Sequence, residues 1–114
     1  MNLNTFISKL TSHPETIEFS DTMATIDANY NFNPTTFTNG ATLNEANQNN
    51  GSCKIFSFGL LNKLSEQQTL ACFGSYYRDD VLKNPKGDDH QNIRNFMVSA
   101  WDGIKFDGEA LTLR

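Results

Sequence analysis

Residues 51–64 of this chain read GSCKIFSFGLLNKL, and a helix built from them would carry apolar side chains on nearly every side. Phe56 and Phe58 are the largest of these side chains. A helix that is apolar around its circumference must be covered by other elements, because none of its faces suits water. We therefore predict that this stretch, beginning at Gly51 or Ser52, is the central helix of the fold.

Two helices are expected before the central one. The first covers residues 3–10, where apolar residues recur with the i, i+3, i+4, i+7 spacing of one buried helix face. Asn2 is its predicted cap, and Pro14 ends it because proline disfavours helical geometry in the residue before it. The second helix should begin at Ser20, and its predicted buried residues are Met23, Ile26 and Tyr30.

Two further helices are expected after the central one. Ser65 and Gln68 have the spacing of a capping box, which predicts a helix start. The inner face of that helix should carry Leu70, Phe73 and Tyr77. Asp88 and Asp89 predict the start of the last helix, because carboxylates are favoured at a helix N-terminus. That helix should end near Gly103 and bury Ile93, Phe96, Met97, Ala100 and Trp101.

The β-structure is expected to be small. The chain should be extended around Phe37 and turn at Asn39-Gly40. Asp107-Gly108 lies between alternating apolar residues of the segment 104–113, which is a two-residue hairpin signal. The predicted fold class is α+β: a mainly helical single domain of about five helices with a small C-terminal β-hairpin. The hairpin could also pair with the strand near Phe37.

Length and composition support one domain, residues 1–114, and exclude several partners. A chain of 114 residues can bury a core without staples, and we expect Phe56, Phe73, Phe96 and Trp101 to share that core. The net charge of -4 argues against nucleic acid and anionic membranes as partners. The sequence contains neither a run of about 18 apolar residues nor a signal-peptide pattern. Two cysteines are expected to be reduced thiols.

The most polar stretch leads into the central helix. Five of residues 44–50 are Asn or Gln, and such loops often carry function. We expect this loop to meet the start of the last helix and to form a polar cleft. The predicted ligand-binding residues are Asn44, Glu45, Asn49, Lys54, His90 and Arg94. The expected ligand is a small polar molecule, and the alternative is a protein partner.

No cofactor or metal ion is expected. The loop lacks the spaced Asp residues and terminal Glu of a calcium-binding EF-hand. His13 and His90 are far apart in the sequence and have no neighbouring zinc ligands. The structural alternative for the loop is that its side-chain amides form hydrogen bonds with the loop's own backbone.

A thiol enzyme is the competing hypothesis. Cys53 would lie in the first turn of the central helix beside Lys54, and both features favour a thiolate. His90 and Asn92 could complete a Cys-His-Asn arrangement if the fold brings all three together. The structural alternative is that Cys53 is a small buried thiol and that Ser52 caps the helix.

Several motifs resemble the HopJ (HopPmaJ) family, which is named for type III effectors of plant-pathogenic bacteria. The resemblance spans nearly the whole chain in order. The matching motifs are FTNG (37–40), NEA (44–46), GSCKIF (51–56), QTLACFGSYYR (68–78), DVL (80–82), DHQNIRNFM (89–97) and WDGI (101–104).

The resemblance implies no particular reaction, cofactor or catalytic residue. The leading hypothesis is therefore a non-catalytic binding or interaction module of a bacterial cell. We expect it to be cytoplasmic, because residues 3–10 already form a core-facing helix where an effector would carry a polar secretion segment. The alternatives are a small thiol enzyme using Cys53 and a secreted effector that binds a host protein.

Overall fold

Five α-helices and five short strands form the domain in a computed structural model that describes residues 2–114. The helices are α1 (Leu3–Ser12), α2 (Phe19–Asn29), α3 (Asn50–Leu61), α4 (Glu66–Ala71) and α5 (Gln91–Ser99). The strands are β1 (Tyr30–Phe32), β2 (Phe37–Asn39), β3 (Thr42–Asn44), β4 (Ile104–Phe106) and β5 (Leu111–Leu113). The mainly helical α+β class is confirmed.

The helix predicted to be central lies in the core. α3 packs against α2, α4 and β5. The predicted aromatic core is present around Phe56, whose ring centroid lies 5.7 Å from that of Phe73 and 5.1 Å from that of Phe96. The Trp101 ring lies 6.4 Å from that of Phe56 and 5.0 Å from that of Phe96, but Trp101 is only partly buried. α3 begins at Asn50, slightly earlier than predicted, so Ser52 is not its cap.

The first two helices agree closely with the sequence pattern. The side chain of Asn2 accepts a hydrogen bond from the Thr5 amide at 2.8 Å, as a cap does. A 3₁₀ turn, Pro14–Thr16, follows α1. α2 begins one residue before Ser20, and the predicted buried Tyr30 lies in β1 instead of in the helix.

The fourth predicted helix is interrupted. Its capping box is present: the Gln68 amide donates to Ser65 Oγ at 3.1 Å, and the Ser65 amide donates to Gln68 Oε1 at 2.9 Å. However, α4 ends at Ala71, and Gly74 adopts a left-handed conformation with φ of +60°. A Cβ atom at Gly74 would lie 2.6 Å from the Phe19 amide nitrogen. The chain then continues as a π-helical turn, Tyr76–Val81.

The last helix differs from its prediction at both ends. His90, with φ of +49°, precedes α5, and Asp88 and Asp89 do not cap it. Asp89 instead pairs with Arg94 at 2.6 Å. Met97 was predicted to be buried but is 44% exposed. α5 ends at Ser99 and a 3₁₀ turn, Ala100–Gly103, carries Trp101, because Ala100 leaves helical geometry with φ of +51°.

The predicted C-terminal hairpin is wrong, although both of its strands exist. β4 pairs antiparallel with β2, and β5 pairs antiparallel with β1, so β4 and β5 do not pair with each other. The segment between them, residues 107–110, bonds across to residues 33–36: the Asp107 amide donates to Thr36 O, and the Asn33 amide donates to Ala110 O. The hairpin that does form joins β2 and β3 through the predicted turn at Gly40.

Candidate functional site

The amide-rich loop and the residues before α5 meet at two helix N-termini. Asn47 and Asn49 in the loop have left-handed backbones, with φ of 73° and 54°. Asparagine tolerates this conformation better than most residues. Asn49 immediately precedes α3, and His90 immediately precedes α5 in a similar conformation. Neither side chain caps its own helix.

A cleft of about 210 Å³ lies between these two helix starts, and we call it the amide cleft. Its polar residues come from the two helix starts: Asn49, Gly51, Ser52, His90, Gln91 and Asn92. Its apolar residues are Phe19, Phe73, Tyr76 and Ile93. The rings of Phe19 and Tyr76 meet edge to face with centroids 5.0 Å apart.

Four residues that line the cleft have backbone amides without acceptors within residues 2–114. Within residues 2–114, nothing accepts a hydrogen bond from the amides of Gly51, Ser52, Gln91 or Asn92. The first amides of any helix lack intrahelical acceptors, and the helix dipole places partial positive charge there. Two such ends at one cleft favour a ligand that accepts hydrogen bonds.

A buried network of asparagines lies behind the cleft. Asn92 Nδ2 donates to Asn44 Oδ1 at 3.0 Å, and Asn49 Nδ2 donates to the same oxygen at 2.8 Å. Asn92 Oδ1 accepts from Asn39 Nδ2 at 3.0 Å and from Asn44 Nδ2 at 3.3 Å. Asn39 and Asn44 are almost fully buried. The network therefore fixes α5 and the loop to the β2–β3 hairpin.

His90 is held in the cleft wall by the π-helical turn. Its Nε2 atom lies 3.0 Å from Asp80 Oδ2, and its ring centroid lies 5.1 Å from that of Tyr76. Both partners belong to the turn Tyr76–Val81. π-helical turns are rare and are found frequently at functional sites.

The structure brings together some of the predicted ligand-binding residues but not all of them. Asn49 and His90 line the amide cleft, as does Asn92, which was predicted only as a catalytic candidate. Asn44 lies behind the cleft. Glu45, Lys54 and Arg94 are not among its lining residues.

The three remaining predicted residues have other surroundings. Glu45 is exposed. Lys54 pairs with Asp27 at 2.9 Å and lies 4.9 Å from the centre of the Phe32 ring. Arg94 holds the loop before α5, because it donates to Asn84 O at 3.0 Å besides pairing with Asp89. The expected cleft containing Arg94 is thus not formed as proposed.

The Cys-His-Asn arrangement is not assembled. The Cys53 thiol is buried and donates to Thr35 O at 3.5 Å, while His90 pairs with Asp80. Burial raises the pKa of the Cys53 thiol, and the hydrogen bond to Thr35 lowers it by less. Burial also raises the pKa of the Cys72 thiol to about 12. Both shifts oppose the thiolate that a nucleophile requires.

We expect both thiols to react slowly with iodoacetamide at pH 7 until the protein is unfolded.

The stability of the protein should also depend on pH through Cys72. Because the folded Cys72 pKa of about 12 exceeds its ordinary value of 9.0, the thiol stays neutral to a higher pH in the folded state than in the unfolded state. The contribution of the neutral Cys72 thiol to the free energy of unfolding is therefore fully present below about pH 9 and is lost as the pH rises towards 12. Urea unfolding between pH 8 and 11 measures this loss.

Cys72→Ala is the control, because lysines and tyrosines titrate in the same pH range. Its free energy of unfolding should fall less steeply with pH than that of the parent. Rapid alkylation of the folded protein, or identical pH slopes for the two proteins, would contradict the prediction.

Several cleft residues were missed by the sequence analysis. Gly51 and Ser52 were predicted only as a helix start, and Gln91 was given no role. Tyr76 and Phe19 lie in other segments, and only the fold brings them to the cleft. Asn39 was read as a turn residue, but it is fully buried and its Oδ1 atom has no partner within residues 2–114.

Two features of the described part of the chain, residues 2–114, bear on other functions. These residues contain no group of three or more His, Cys, Asp or Glu side chains arranged to hold a metal ion. No helix among them is long and apolar enough to cross a membrane.

Comparisons with known proteins place this architecture in a family. No curated protein matches the chain significantly. A crystal structure of the unknown-function protein VPA0580 is 60% identical, with a TM-score of 0.98; the match covers 100% of this chain and 95% of that one. A family model described as HopJ type III effector protein matches residues 3–111. This chain is therefore a member of the HopJ type III effector protein family.

Proposed function

We propose that this HopJ protein is a non-catalytic binding module that holds a small polar ligand in the amide cleft. One observation carries the proposal: four residues from the first turns of α3 and α5 line a single cleft, and their backbone amides have no acceptor within residues 2–114. Covering a backbone amide that has no acceptor costs free energy, because the amide loses its hydrogen bonds to water. A ligand with acceptor oxygens would supply the missing bonds.

The cleft dimensions and its aromatic wall narrow the ligand further. About 210 Å³ is less than the volume of most drug-sized sites, so the ligand should have few heavy atoms. A carboxylate or phosphate group suits helix N-termini. Tyr76 and Phe19 would contact the remaining apolar part of the ligand.

The surroundings of the thiols support a non-catalytic role. Cys53 and Cys72 are buried and have raised pKa values. Ser52, in the first turn of α3, offers a hydroxyl group to the cleft, but this hydroxyl forms no hydrogen bond with His90, which pairs with Asp80. A serine nucleophile is normally activated by such a bond.

Titration of the isotope-labelled protein with acetate and with inorganic phosphate tests the proposal by NMR. We expect saturable shifts of the backbone amides of Gly51, Ser52, Gln91 and Asn92. Ser52→Asp should weaken the stronger probe about tenfold, because its carboxylate would repel an anion and compete for the free amides. Ser52→Asn is the matched neutral control and should bind more tightly than Ser52→Asp.

Two results would count against the proposal. The first is the absence of saturable shifts with either probe, and the second is equal binding by the Ser52→Asp and Ser52→Asn variants. Detection of an activity that Ser52→Ala or Cys53→Ser removes, with the fold intact, would replace the binding module by an enzyme.

We further propose that the protein acts in the cytoplasm. The second candidate is a secreted effector that binds a host protein, and the description of the family as type III effectors favours it. A fusion of the chain to an adenylate cyclase reporter distinguishes the two. Cyclic AMP produced in host cells only when the bacterium has a working type III system would support the effector and overturn the cytoplasmic proposal.

A further inference from the structure

A larger concavity lies on the other side of the π-helical turn from the amide cleft. It measures about 600 Å³ and is bounded by α1, the Pro14–Thr16 turn, α4 and the π-helical turn. We call it the apolar groove. Its lining residues include Leu10, Thr11, Gln67, Ala71, Tyr77 and Leu82. Tyr76 lines the amide cleft, whereas the next residue, Tyr77, lines the groove.

Apolar side chains form the groove, and they differ in exposure. Leu10 and Ala71 are buried beneath it, at 1% and 6% exposure. Leu82 is 48% exposed, and Tyr77 packs against the core from the side. When an apolar molecule displaces the water that covers an apolar concave surface, the free energy of the system falls, which favours binding.

The polar groups of the groove are largely satisfied by neighbouring protein groups. Gln68 Nε2 donates to Thr11 Oγ1 at 3.0 Å, and the Thr11 hydroxyl donates to Ile7 O at 2.9 Å. Gln68 Oε1 already accepts the Ser65 amide. Within residues 2–114, the Gln67 side chain, the Tyr77 hydroxyl and the exposed Glu15 carboxylate are the lining side chains without any hydrogen-bond partner, so an uncharged occupant needs few hydrogen-bonding groups.

The charges around the groove favour an uncharged occupant. The Arg78 guanidinium already binds other protein groups: it donates to Ile17 O at 2.7 Å and pairs with Glu18 at 3.4 Å. Glu15 is an exposed carboxylate that also lines the groove. An anion would meet the Glu15 carboxylate, and the only cation among the lining residues is already paired.

The size of the groove favours a small molecule over a protein partner. Stable protein interfaces bury about 800 Å² on each partner, and the surface lining this groove is far smaller. Its volume instead falls within the range of about 300–1,000 Å³ that is typical of small-molecule sites.

We propose that the apolar groove is a second ligand site and that its ligand is an uncharged, mainly apolar small molecule. The ligand contacts Leu82 and Tyr77 above the buried Leu10 and Ala71, and it forms at most one or two hydrogen bonds, with the Tyr77 hydroxyl or the Gln67 amide. This site does not depend on the ligand of the amide cleft, because the two share no lining residue.

Fluorescence titration with the uncharged probe N-phenyl-1-naphthylamine tests the proposal. We expect saturable binding to the intact protein, and weaker binding of 8-anilinonaphthalene-1-sulfonate, which has the same rings but carries a negative charge. Gln67→Phe should raise the dissociation constant of the neutral probe about tenfold or more, because the phenylalanine ring fills part of the groove. Glu66→Phe is the matched control and should bind like the parent, because Glu66 does not line the groove.

A second filling variant, Ala71→Leu, approaches the groove from its floor, and its fold is checked by circular dichroism. Gln67 is exposed, so Gln67→Phe keeps the test valid if Ala71→Leu fails to fold. The proposal is overturned if the neutral probe does not bind, if the sulfonate binds more tightly, or if Gln67→Phe binds like Glu66→Phe. It is also overturned if Leu61→Phe abolishes binding, because Leu61 lines a separate groove between α3 and β5.

Discussion

Replacing Phe56 by alanine should lower the free energy of unfolding by about 3–5 kcal/mol, the usual cost of deleting a buried phenylalanine ring. Phe56 is fully buried in α3. Its ring centroid lies 5.1 Å from that of Phe96, 5.7 Å from that of Phe73 and 6.0 Å from that of Phe37. Because these three neighbouring rings come from α5, β2 and the turn after α4, they cannot all move into the space that the mutation leaves.

Urea unfolding followed by circular dichroism measures this loss. Domains of this size are stable by about 5–15 kcal/mol, so Phe56→Ala would remove a large share of the total. Trp101→Ala should cost less, because Trp101 is only partly buried. Val98→Ala is a control with 87% exposure and should change stability by less than about 0.5 kcal/mol. A loss below about 1 kcal/mol for Phe56→Ala would show that Phe56 is not the centre of the core.

The elements best predicted from the sequence were those with a strong local signal. The periodicity of residues 3–10 reports one buried face, and α1 forms there. The capping residues Asn2, Ser65 and Gln68 form the predicted hydrogen bonds, because the atoms involved lie within three residues of each other. The central helix was predictable because a stretch with no polar face has no stable position at the surface.

The errors in the fold arise where distant segments decide the outcome. Asp107-Gly108 has the composition of a hairpin turn, but residues 107–110 satisfy their backbone against residues 33–36. The pattern of Leu70, Phe73 and Tyr77 suggested one helix face, but the backbone at Phe19 lies so close to Gly74 that the chain turns there. No periodicity in the sequence contains either contact.

The residues of the candidate cleft differ from those expected for a related reason. The loop and the start of α5 do line one cleft. The long side chains of Lys54 and Arg94 reach other partners, Asp27 and Asp89, and a sequence does not show where such side chains point. Asn39 and Asn44 are residue types usually found at the surface, yet both are buried, and the Nδ2 group of each donates to Asn92 Oδ1.

Replacing Asn92 by alanine should lower the free energy of unfolding by about 2–3 kcal/mol, which is the second-largest effect expected. The Asn92 side chain is 8% exposed and is the common partner of Asn39 and Asn44. Without it, the Nδ2 group of Asn44 would keep only a long contact of 3.5 Å to Thr42 O. A buried polar group left unsatisfied costs about 1–3 kcal/mol.

Gln91→Ala is the control in the same helical turn, because Gln91 is exposed and bonds only to Asn95. Its effect should stay within about 0.5 kcal/mol. Asn44→Ala should cost about as much as Asn92→Ala, but the double variant should cost clearly less than the sum, since either change already breaks the same hydrogen bonds. Additive losses would show that the two amides act independently. In that case, the network could not be what holds the start of α5 against the loop, and the amide cleft would need another explanation for its shape.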